Sequence, residues 1–175
     1  KKGGMMFGCS LQGTRDVVAA VRRVTRRPVI PKLTPNVTDV ASFAAAARDA
    51  GADAVSLVNT FLAMAIDVET RRPKLSNVVG GLSGPAIRPI AVRMVHECRQ
   101  AVDLPIIGMG GIMTTGDALE FIIAGATAVQ VGTANFVDPF IWNKLVTGLT
   151  DYLQRHGLAK VSDLVGTLDI TDKGT

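Results

Sequence analysis

Short apolar runs alternate with helical patterns of apolar residues along most of the chain. Four runs of mainly apolar residues predict strands, and each run ends at glycine, asparagine, threonine or proline residues. Strands that alternate with helices indicate a parallel sheet with right-handed crossovers. The predicted strands cover residues 29–33, 54–58, 105–109 and 128–131.

Apolar residues at helical spacing follow each predicted strand. The helix after the first strand is predicted to begin with Thr38 as its N-cap. The helix that starts at Pro89 is predicted to bury Ile90, Met94 and Cys98, which recur at spacings of four. The other predicted helices cover residues 14–24, 117–124 and 138–156, and residues 61–88 are predicted to be irregular.

The chain length limits how much of a barrel these units can build. A (β/α)8 barrel needs about 250 residues and eight strands, whereas this chain has 175 residues and four predicted strands. The pattern therefore predicts half of a (β/α)8 TIM barrel, in which four parallel strands alternate with helices. Residues 1–175 are expected to form a single α/β domain, and its functional edge is expected at the carboxyl ends of the strands.

Composition and charge limit the classes of partner molecule that the protein is expected to bind. The formal net charge is +4, but much of the positive charge lies around one helix end, where the helix dipole favours it. No aromatic residues interleave with these charges, so we expect no nucleic-acid surface. The charges in question belong to Arg22, Arg23, Arg26 and Arg27.

The spacing of the two cysteines and the lengths of the apolar runs indicate which cellular compartment to expect. Cys9 and Cys98 have neither the spacing of metal ligands nor that of a disulfide framework. No apolar run reaches the roughly 18–20 residues of a membrane span. We therefore expect no metal site, no membrane association and a reducing, cytoplasmic environment.

Glycines at two consecutive strand ends indicate an anion site. Gly110-Gly111 and Gly132-Thr133 would let backbone N–H groups approach an anion closely, each beside a helix start. In barrels, the loops after strands seven and eight frequently build a phosphate site. The pattern predicts phosphate binding, although glycines also serve plain strand–helix turns. It does not say which phosphate is bound.

Polar residues mark the ends of the first two predicted strands. Lys32 lies in an otherwise apolar strand, where a buried lysine must pair with a negative group or change its pKa. The alternative is that its ammonium group reaches solvent. Asn59 and Thr60 offer an amide and a hydroxyl that suit a planar polar substrate, although asparagine at a strand end is also a common turn residue.

Five segments occur in the order Lys-Leu-Thr-Pro-Asn-Val-Thr-Asp (32–39), Val-Asn-Thr (58–60), Gly-Gly-Leu-Ser-Gly-Pro (80–85), Gly-Met-Gly-Gly-Ile (108–112) and Val-Gly-Thr (131–133). In this order they resemble segments of the dihydroorotate dehydrogenases of class 1. The opening residues 1–8 resemble the stretch just after the catalytic loop in class 1B members, and the similarity extends from residue 3 to about residue 169. The resemblance implies the C-terminal half of a flavin-binding barrel.

The resemblance also implies a reaction and a set of binding residues. It implies a flavoprotein oxidoreductase that uses FMN to oxidise dihydroorotate to orotate in de novo pyrimidine biosynthesis. Asn59 and Thr60 are the implied substrate contacts. The implied FMN contacts are Lys32 at the pyrimidine edge of the ring, Val58 and Gly84 beside the ring, and Gly110, Gly111, Gly132 and Thr133 at the phosphate.

The resemblance implies no catalytic residue within the chain. The class 1 base is a cysteine in a Ser-Cys-Pro-Asn-like loop, which is expected before Lys1. Cys9 is the other candidate, but it lies on the wrong side of the Gly-Gly-Met-Met-Phe-Gly stretch. The 175 residues alone are therefore expected to be inactive.

Class 1B membership would imply a partner that carries electrons to NAD. The partner subunit would hold FAD and a [2Fe–2S] cluster, because a cluster normally takes four cysteines and this chain has two. Class 1A would use fumarate instead. A homodimer is also expected. Three alternatives stay open: a flavoprotein like dihydropyrimidine dehydrogenase, a phosphosugar-binding barrel without flavin, and a fragment that binds partners without catalysis.

Overall fold

The computed structural model describes residues 7–171, in which six helices and seven short strands are found. The helices are α1 (Leu11–Val24), α2 (Val40–Asp49), α3 (Arg88–Ala101), α4 (Thr115–Ala124), α5 (Ala134–Val137) and α6 (Ile141–Arg155). The strands are β1 (Val55–Leu57), β2 (Phe61–Ala63), β3 (Ile66–Asp67), β4 (Arg72–Pro73), β5 (Gly80–Leu82), β6 (Ile106–Met109) and β7 (Ala128–Gln130). Single 3₁₀ turns cover Pro85–Ile87 and Val161–Leu164.

The central sheet is parallel and has the strand order β1-β6-β7. Val55 pairs with Ile106 at one end of the first ladder, and Met109 pairs with Gln130 at the end of the second. Helix α3 lies in the crossover from β1 to β6, and α4 lies in the crossover from β6 to β7. These repeated units form a partial (β/α)8 barrel, which confirms the predicted fold class with one strand fewer than expected.

The missing strand is the first predicted one, at residues 29–33. This segment lies parallel to β1, but only Lys32 forms a bridge, with Ser56. The Ser56 N–H donates to Pro31 O at 3.0 Å, and the Leu33 N–H donates to Ser56 O at 2.8 Å. Pro31 has no N–H to donate, so the regular ladder is interrupted there, although the Asp53 N–H still donates to Val29 O at 3.0 Å. The predicted strand lies at the expected position beside β1, but it forms a single bridge instead of five paired residues.

Residues 61–82 form an arm of two nested antiparallel ladders. Strand β2 pairs with β5, and β3 pairs with β4 inside them. The prediction of an irregular stretch is therefore wrong. The signal was weak because these strands have only two or three residues, and because Gly80 and Gly81, a residue type depleted in strands, build most of β5.

The helix starts differ from the prediction by one to four residues. The N-cap of α1 is Ser10, four residues before the predicted start at Thr14, and its hydroxyl accepts from the Gly13 N–H. The N-cap of α2 is Asp39 rather than Thr38. Helix α6 begins at Ile141, three residues after the predicted start. Side-chain caps decide the first two boundaries, where neighbouring Ser, Thr and Asp residues compete for that position, whereas the start of α6 has no side-chain cap.

The buried face of α3 is rotated from the predicted one. Ile90 is 40% exposed, so its predicted burial is wrong, whereas Met94 and Cys98 are buried as expected. Ala91 and Val95 complete the buried stripe. The stripe runs at spacings of three and four from Ala91, whose small side chain gave a weaker apolar signal than that of Ile90.

The main core lies between the parallel sheet and the helices α2, α3 and α4. Phe121 of α4 is fully buried beside β6, where a Cβ added to Gly108 would lie 2.6 Å from its ring. This close packing sets the height of α4 above the sheet and therefore the path of the loop that joins β6 to α4. No helix in the described part of the chain is long and apolar enough to cross a membrane.

Candidate binding site at the strand ends

A cavity of about 480 Å³ lies at the carboxyl ends of the parallel strands. Its volume falls in the range of roughly 300–1,000 Å³ that is usual for small-molecule sites. All nine residues predicted from the sequence line it: Lys32, Val58, Asn59, Thr60, Gly84, Gly110, Gly111, Gly132 and Thr133. Because parallel strands end at the same edge of the sheet, the fold brings together residues that are far apart in sequence.

The glycine loops approach each other so closely that side chains would not fit between them. A Cβ added to Gly111 would lie 2.6 Å from the Gly84 carbonyl oxygen and 2.9 Å from the Arg88 Cβ. Gly111 also has a φ of 74°, in the region that favours glycine. By contrast, a Cβ added to Gly132 or Gly84 would meet no protein atom within 4 Å. Both residues line the cavity, and no protein atom closes the space beside their backbone.

Backbone donors are available at these loops. Within residues 7–171, the N–H groups of Gly111, Gly132 and Thr133 donate to no protein acceptor. The short helix α5 starts directly after Thr133. The arrangement matches the phosphate site common in barrels, in which two loops and a short extra helix surround the anion.

Ser83 joins two of these loops and was not singled out from the sequence. Its hydroxyl lies 3.1 Å from that of Thr133, at hydrogen-bonding distance. Ser83 follows β5 directly, so this contact connects the end of the arm to the loop after β7. Its place in the Leu-Ser-Gly-Pro segment was the signal that could have identified it.

Lys32 lines the cavity, but it is not buried. Its side chain is exposed, and no ion pair within residues 7–171 includes it. The expectation that Lys32 is buried is therefore wrong, and its side chain reaches solvent as in the alternative interpretation. The reason lies in the sheet: the segment of Lys32 pairs with β1 on one side, and no described strand lies on its other side.

Asn59 and Thr60 are held in place by hydrogen bonds at the start of the arm. The Asn59 N–H donates to Leu33 O at 3.1 Å, and the Asn59 Oδ1 accepts from the Thr60 N–H at 2.9 Å. This hydrogen bond orients the side-chain amide of Asn59, whose N–H groups have no protein acceptor within residues 7–171 and are donors for a ligand. Asn36 donates from Nδ2 to Thr60 O at 3.0 Å and accepts from the Leu62 N–H at 2.9 Å.

Gly81 leaves the space that the Thr60 side chain occupies. A Cβ on Gly81 would overlap the Thr60 hydroxyl and would lie 2.7 Å from the Thr60 Cβ. Gly81 pairs with Leu62 in the β2–β5 ladder, so its backbone cannot retreat easily. The Gly-Gly part of the 80–85 segment therefore has a steric role in the position of Thr60.

Val58 connects two strands below the cavity. It is buried, and its N–H donates to Met109 O at 3.0 Å. The peptide bond between Leu57 and Val58 is cis.

Gln130 and Trp142 also line the cavity. The sequence reasoning missed both of them, because an amide at a strand end and an aromatic residue in a helix carry no specific signal by themselves.

Neither cysteine lies in the cavity. Cys9 is exposed and lies beside α2, with its Sγ 3.9 Å from Asn36 O. Cys98 is buried in α3; burial raises the pKa of its thiol to about 12, and the charges of Glu97 and Asp39 act in the same direction. The lining of this cavity therefore contains no thiol base. The resemblance seen in residues 1–6 lies outside the described residues.

Comparisons with known proteins agree on one family. The sequence model described as dihydroorotate dehydrogenase matches residues 1–153. The dihydroorotate dehydrogenase B (NAD(+)) catalytic subunit of Phocaeicola vulgatus is 55% identical over 170 residues, which are 97% of this chain and 56% of that protein. The subunit of the same name from Porphyromonas gingivalis is 56% identical, over 97% of this chain and 55% of that protein. The chain thus spans about half the length of the curated relatives it matches.

A solved structure shows the same fold. The crystal structure of the dihydroorotate dehydrogenase (DHODH) of Eimeria tenella in complex with ferulenol superposes with a TM-score of 0.76 at 25% sequence identity. The match covers 90% of this chain and 48% of that one. The partial barrel therefore corresponds to about half of a known barrel.

The two thiols should differ sharply in reactivity. With a pKa of about 12, the Cys98 thiol at pH 8 is ionised in only about one molecule in 10⁴. We expect iodoacetamide to label Cys9 within minutes and to leave Cys98 unlabelled until the protein is unfolded in guanidinium. Peptide mass spectrometry measures both sites separately. Equal labelling of the two cysteines in the folded protein would contradict the buried position of Cys98.

Proposed function

The chain belongs to the dihydroorotate dehydrogenase family, and we propose that the protein oxidises dihydroorotate to orotate with FMN as its cofactor. The observation that carries the proposal is the convergence on one cavity at the strand ends of all nine residues that the strand-end pattern and the family resemblance had implied. The lining combines backbone N–H groups, a lysine, an amide and hydroxyls. This set of donors suits a ligand that has an anionic tail and a planar polar ring.

The glycine loops fit the phosphate of FMN. A Cβ on Gly132 would meet no protein atom within 4 Å, as expected where a ligand approaches the backbone. The available N–H groups of Gly111, Gly132 and Thr133 would donate to the phosphate oxygens. The Ser83–Thr133 contact would keep the Thr133 hydroxyl on the cavity side.

Lys32 and Val58 would flank the flavin ring. When it is bound, FMN supplies the acceptor for a hydride from the substrate. Lys32 would place its positive charge near the pyrimidine edge of the ring, where it stabilises negative charge. Its lack of an ion-pair partner within residues 7–171 supports this role, because its charge is not neutralised by a protein carboxylate there.

Asn59 and Thr60 would hold the substrate. The Asn59 amide N–H groups and the Thr60 hydroxyl match the carboxylate and ring amides of dihydroorotate. The base that removes the substrate proton is proposed to be the class 1 loop cysteine, which is expected before Lys1. We therefore propose that the 175 residues need the rest of the barrel for turnover.

We further propose a class 1B assembly in the cytoplasm. The relatives named above are catalytic subunits of an NAD(+)-type enzyme, and a separate subunit that carries FAD and a [2Fe–2S] cluster would pass electrons on to NAD. A homodimer is part of the same proposal, and the arm exposes apolar residues of the kind that mark contact surfaces. The large apolar side chains that the arm exposes are Leu62, Met64, Ile66, Val68, Leu75, Val78, Val79 and Leu82.

An anaerobic visible spectrum of the full-length protein tests the proposed reaction. We expect flavin absorption bands that bleach when dihydroorotate is added, because the substrate would reduce the bound flavin. Flavin bands that stay oxidised would contradict the substrate and favour another pyrimidine. A colourless protein that FMN cannot reconstitute would contradict the cofactor and return the site to a generic phosphate-binding barrel.

Lys32→Ala tests the role of the lysine. We expect flavin reduction by dihydroorotate to slow by about 10-fold or more, because a charge-assisted contact to the reduced ring is lost. Anaerobic stopped-flow absorbance measures the rate. The matched control is Lys160→Ala, since Lys160 is exposed and lies outside the cavity. An unchanged reduction rate in Lys32→Ala would show that the lysine has no such role.

Gly81→Ala tests the position of Thr60. The added methyl group would displace the Thr60 side chain, so we expect the KM for dihydroorotate to rise by about 10-fold, the effect of losing roughly one hydrogen bond. The FMN content should not change. Gly116→Ala is the matched control, because its Cβ would have no neighbour closer than 3.7 Å. Equal KM values for the two variants would refute the steric argument.

A further inference from the structure

Asp117 is the one acidic residue that is buried within the described range 7–171, with 6% of its surface exposed. Its Oδ2 accepts from the Met113 N–H at 2.9 Å and from the Thr114 N–H at 2.8 Å. Its Oδ1 accepts from the Arg88 guanidinium group. Asp117 thus holds the far end of the loop that begins with Gly110 and Gly111.

Arg88 packs against the same loop. It is the first residue of α3, and its Cβ would lie 2.9 Å from a Cβ placed on Gly111. Its guanidinium group reaches across to α4, where it pairs with Asp117 and lies 3.2 Å from Glu120 Oε2. The pair therefore connects two helices directly behind the glycines that line the cavity.

The hydrogen bonds of Asp117 separate the donors of this loop into two groups. The Met113 and Thr114 N–H groups point at the carboxylate, so they do not face the cavity. The Gly111 N–H has no protein acceptor within residues 7–171 and is left for a ligand. Asp117 also forms a capping box with Thr114 at the first turn of α4, so its charge occupies the positive end of that helix.

A buried carboxylate so close to a phosphate site would repel the phosphate unless it were neutralised. The Arg88 guanidinium group supplies the neutralising charge, and an ion pair of this kind keeps its geometry through charge-assisted hydrogen bonds. The Asp117–Arg88 pair is itself neutral, and the remaining negative charge beside it belongs to Glu120, whose side chain is about half exposed to solvent.

We propose that Asp117, held by Arg88, is a positioning residue that aims the Gly110–Gly111 backbone at the phosphate of FMN and so sets the preference for FMN over riboflavin. The inference rests on the proposed function, since it assumes that the cavity binds the flavin phosphate. Asp117 acts through the loop and touches no ligand itself: it does not line the cavity.

The test compares two flavins that differ only in the phosphate. Dissociation constants of FMN and riboflavin are measured on the full-length apoprotein by quenching of flavin fluorescence. In Asp117→Asn we expect the Kd of FMN to rise by about 10-fold or more, as charge-assisted hydrogen bonds to the loop are lost. We expect the Kd of riboflavin to stay within about two-fold, because riboflavin has no phosphate for the loop to hold.

Glu120→Gln is the matched control, because Glu120 also faces Arg88 but is largely exposed and holds no loop N–H. We expect it to leave both dissociation constants unchanged. Arg88→Gln provides a second variant in case Asp117→Asn does not fold. It leaves the Asp117 charge unpaired, so FMN should bind more weakly while riboflavin binding is unchanged.

The outcomes distinguish this inference from the proposed function. A parallel loss of FMN and riboflavin affinity in Asp117→Asn and Arg88→Gln would reduce Asp117 to a merely structural role and overturn the inference. Unchanged FMN affinity in a folded variant would do the same. If the wild-type protein itself binds FMN no more tightly than riboflavin, the phosphate site is absent, and the proposed function fails together with the inference.

Discussion

Parallel pairing of β1, β6 and β7 is the constraint on which the rest of the structure depends. In a parallel sheet every strand ends at the same edge, so each loop that follows a strand must cross that edge. The loops after β1, β6 and β7 supply Asn59, Gly110 and Gly132, and the segment bridged to β1 supplies Lys32. The cavity is thus a direct result of strand direction, and its chemistry depends on which residues stand at the strand ends.

The arm adds a second level of organisation to this edge. It begins directly after Thr60 and ends directly before Ser83. One of its ends therefore lies at the proposed substrate contacts, and the other touches the proposed phosphate loop. Gly81 makes room for Thr60, and Ser83 contacts Thr133. The arm therefore fixes residues at both ends of the cavity, although it lies outside the parallel sheet.

The loop after β6 is held both by packing and by an ion pair. Phe121 packs against Gly108 and sets the position of α4. Asp117 and Arg88 then tie the first turn of α4 to the start of α3. The glycine loop that lines the cavity is therefore held between two helices, which preorganises a binding site at little entropic cost to the ligand.

The sequence by itself determined the repeating strand–helix units, the fold class and the residues at the strand ends, because apolar periodicity and glycine positions are local properties. It did not reveal the arm, since strands of two or three residues rich in glycine carry little local signal. The exposure of Lys32 and the burial of Ala91 in place of Ile90 depend on which neighbours surround each segment. Only the tertiary structure brought Ser83 to Thr133 and Asp117 to Arg88, because these contacts join residues that are 50 and 29 positions apart.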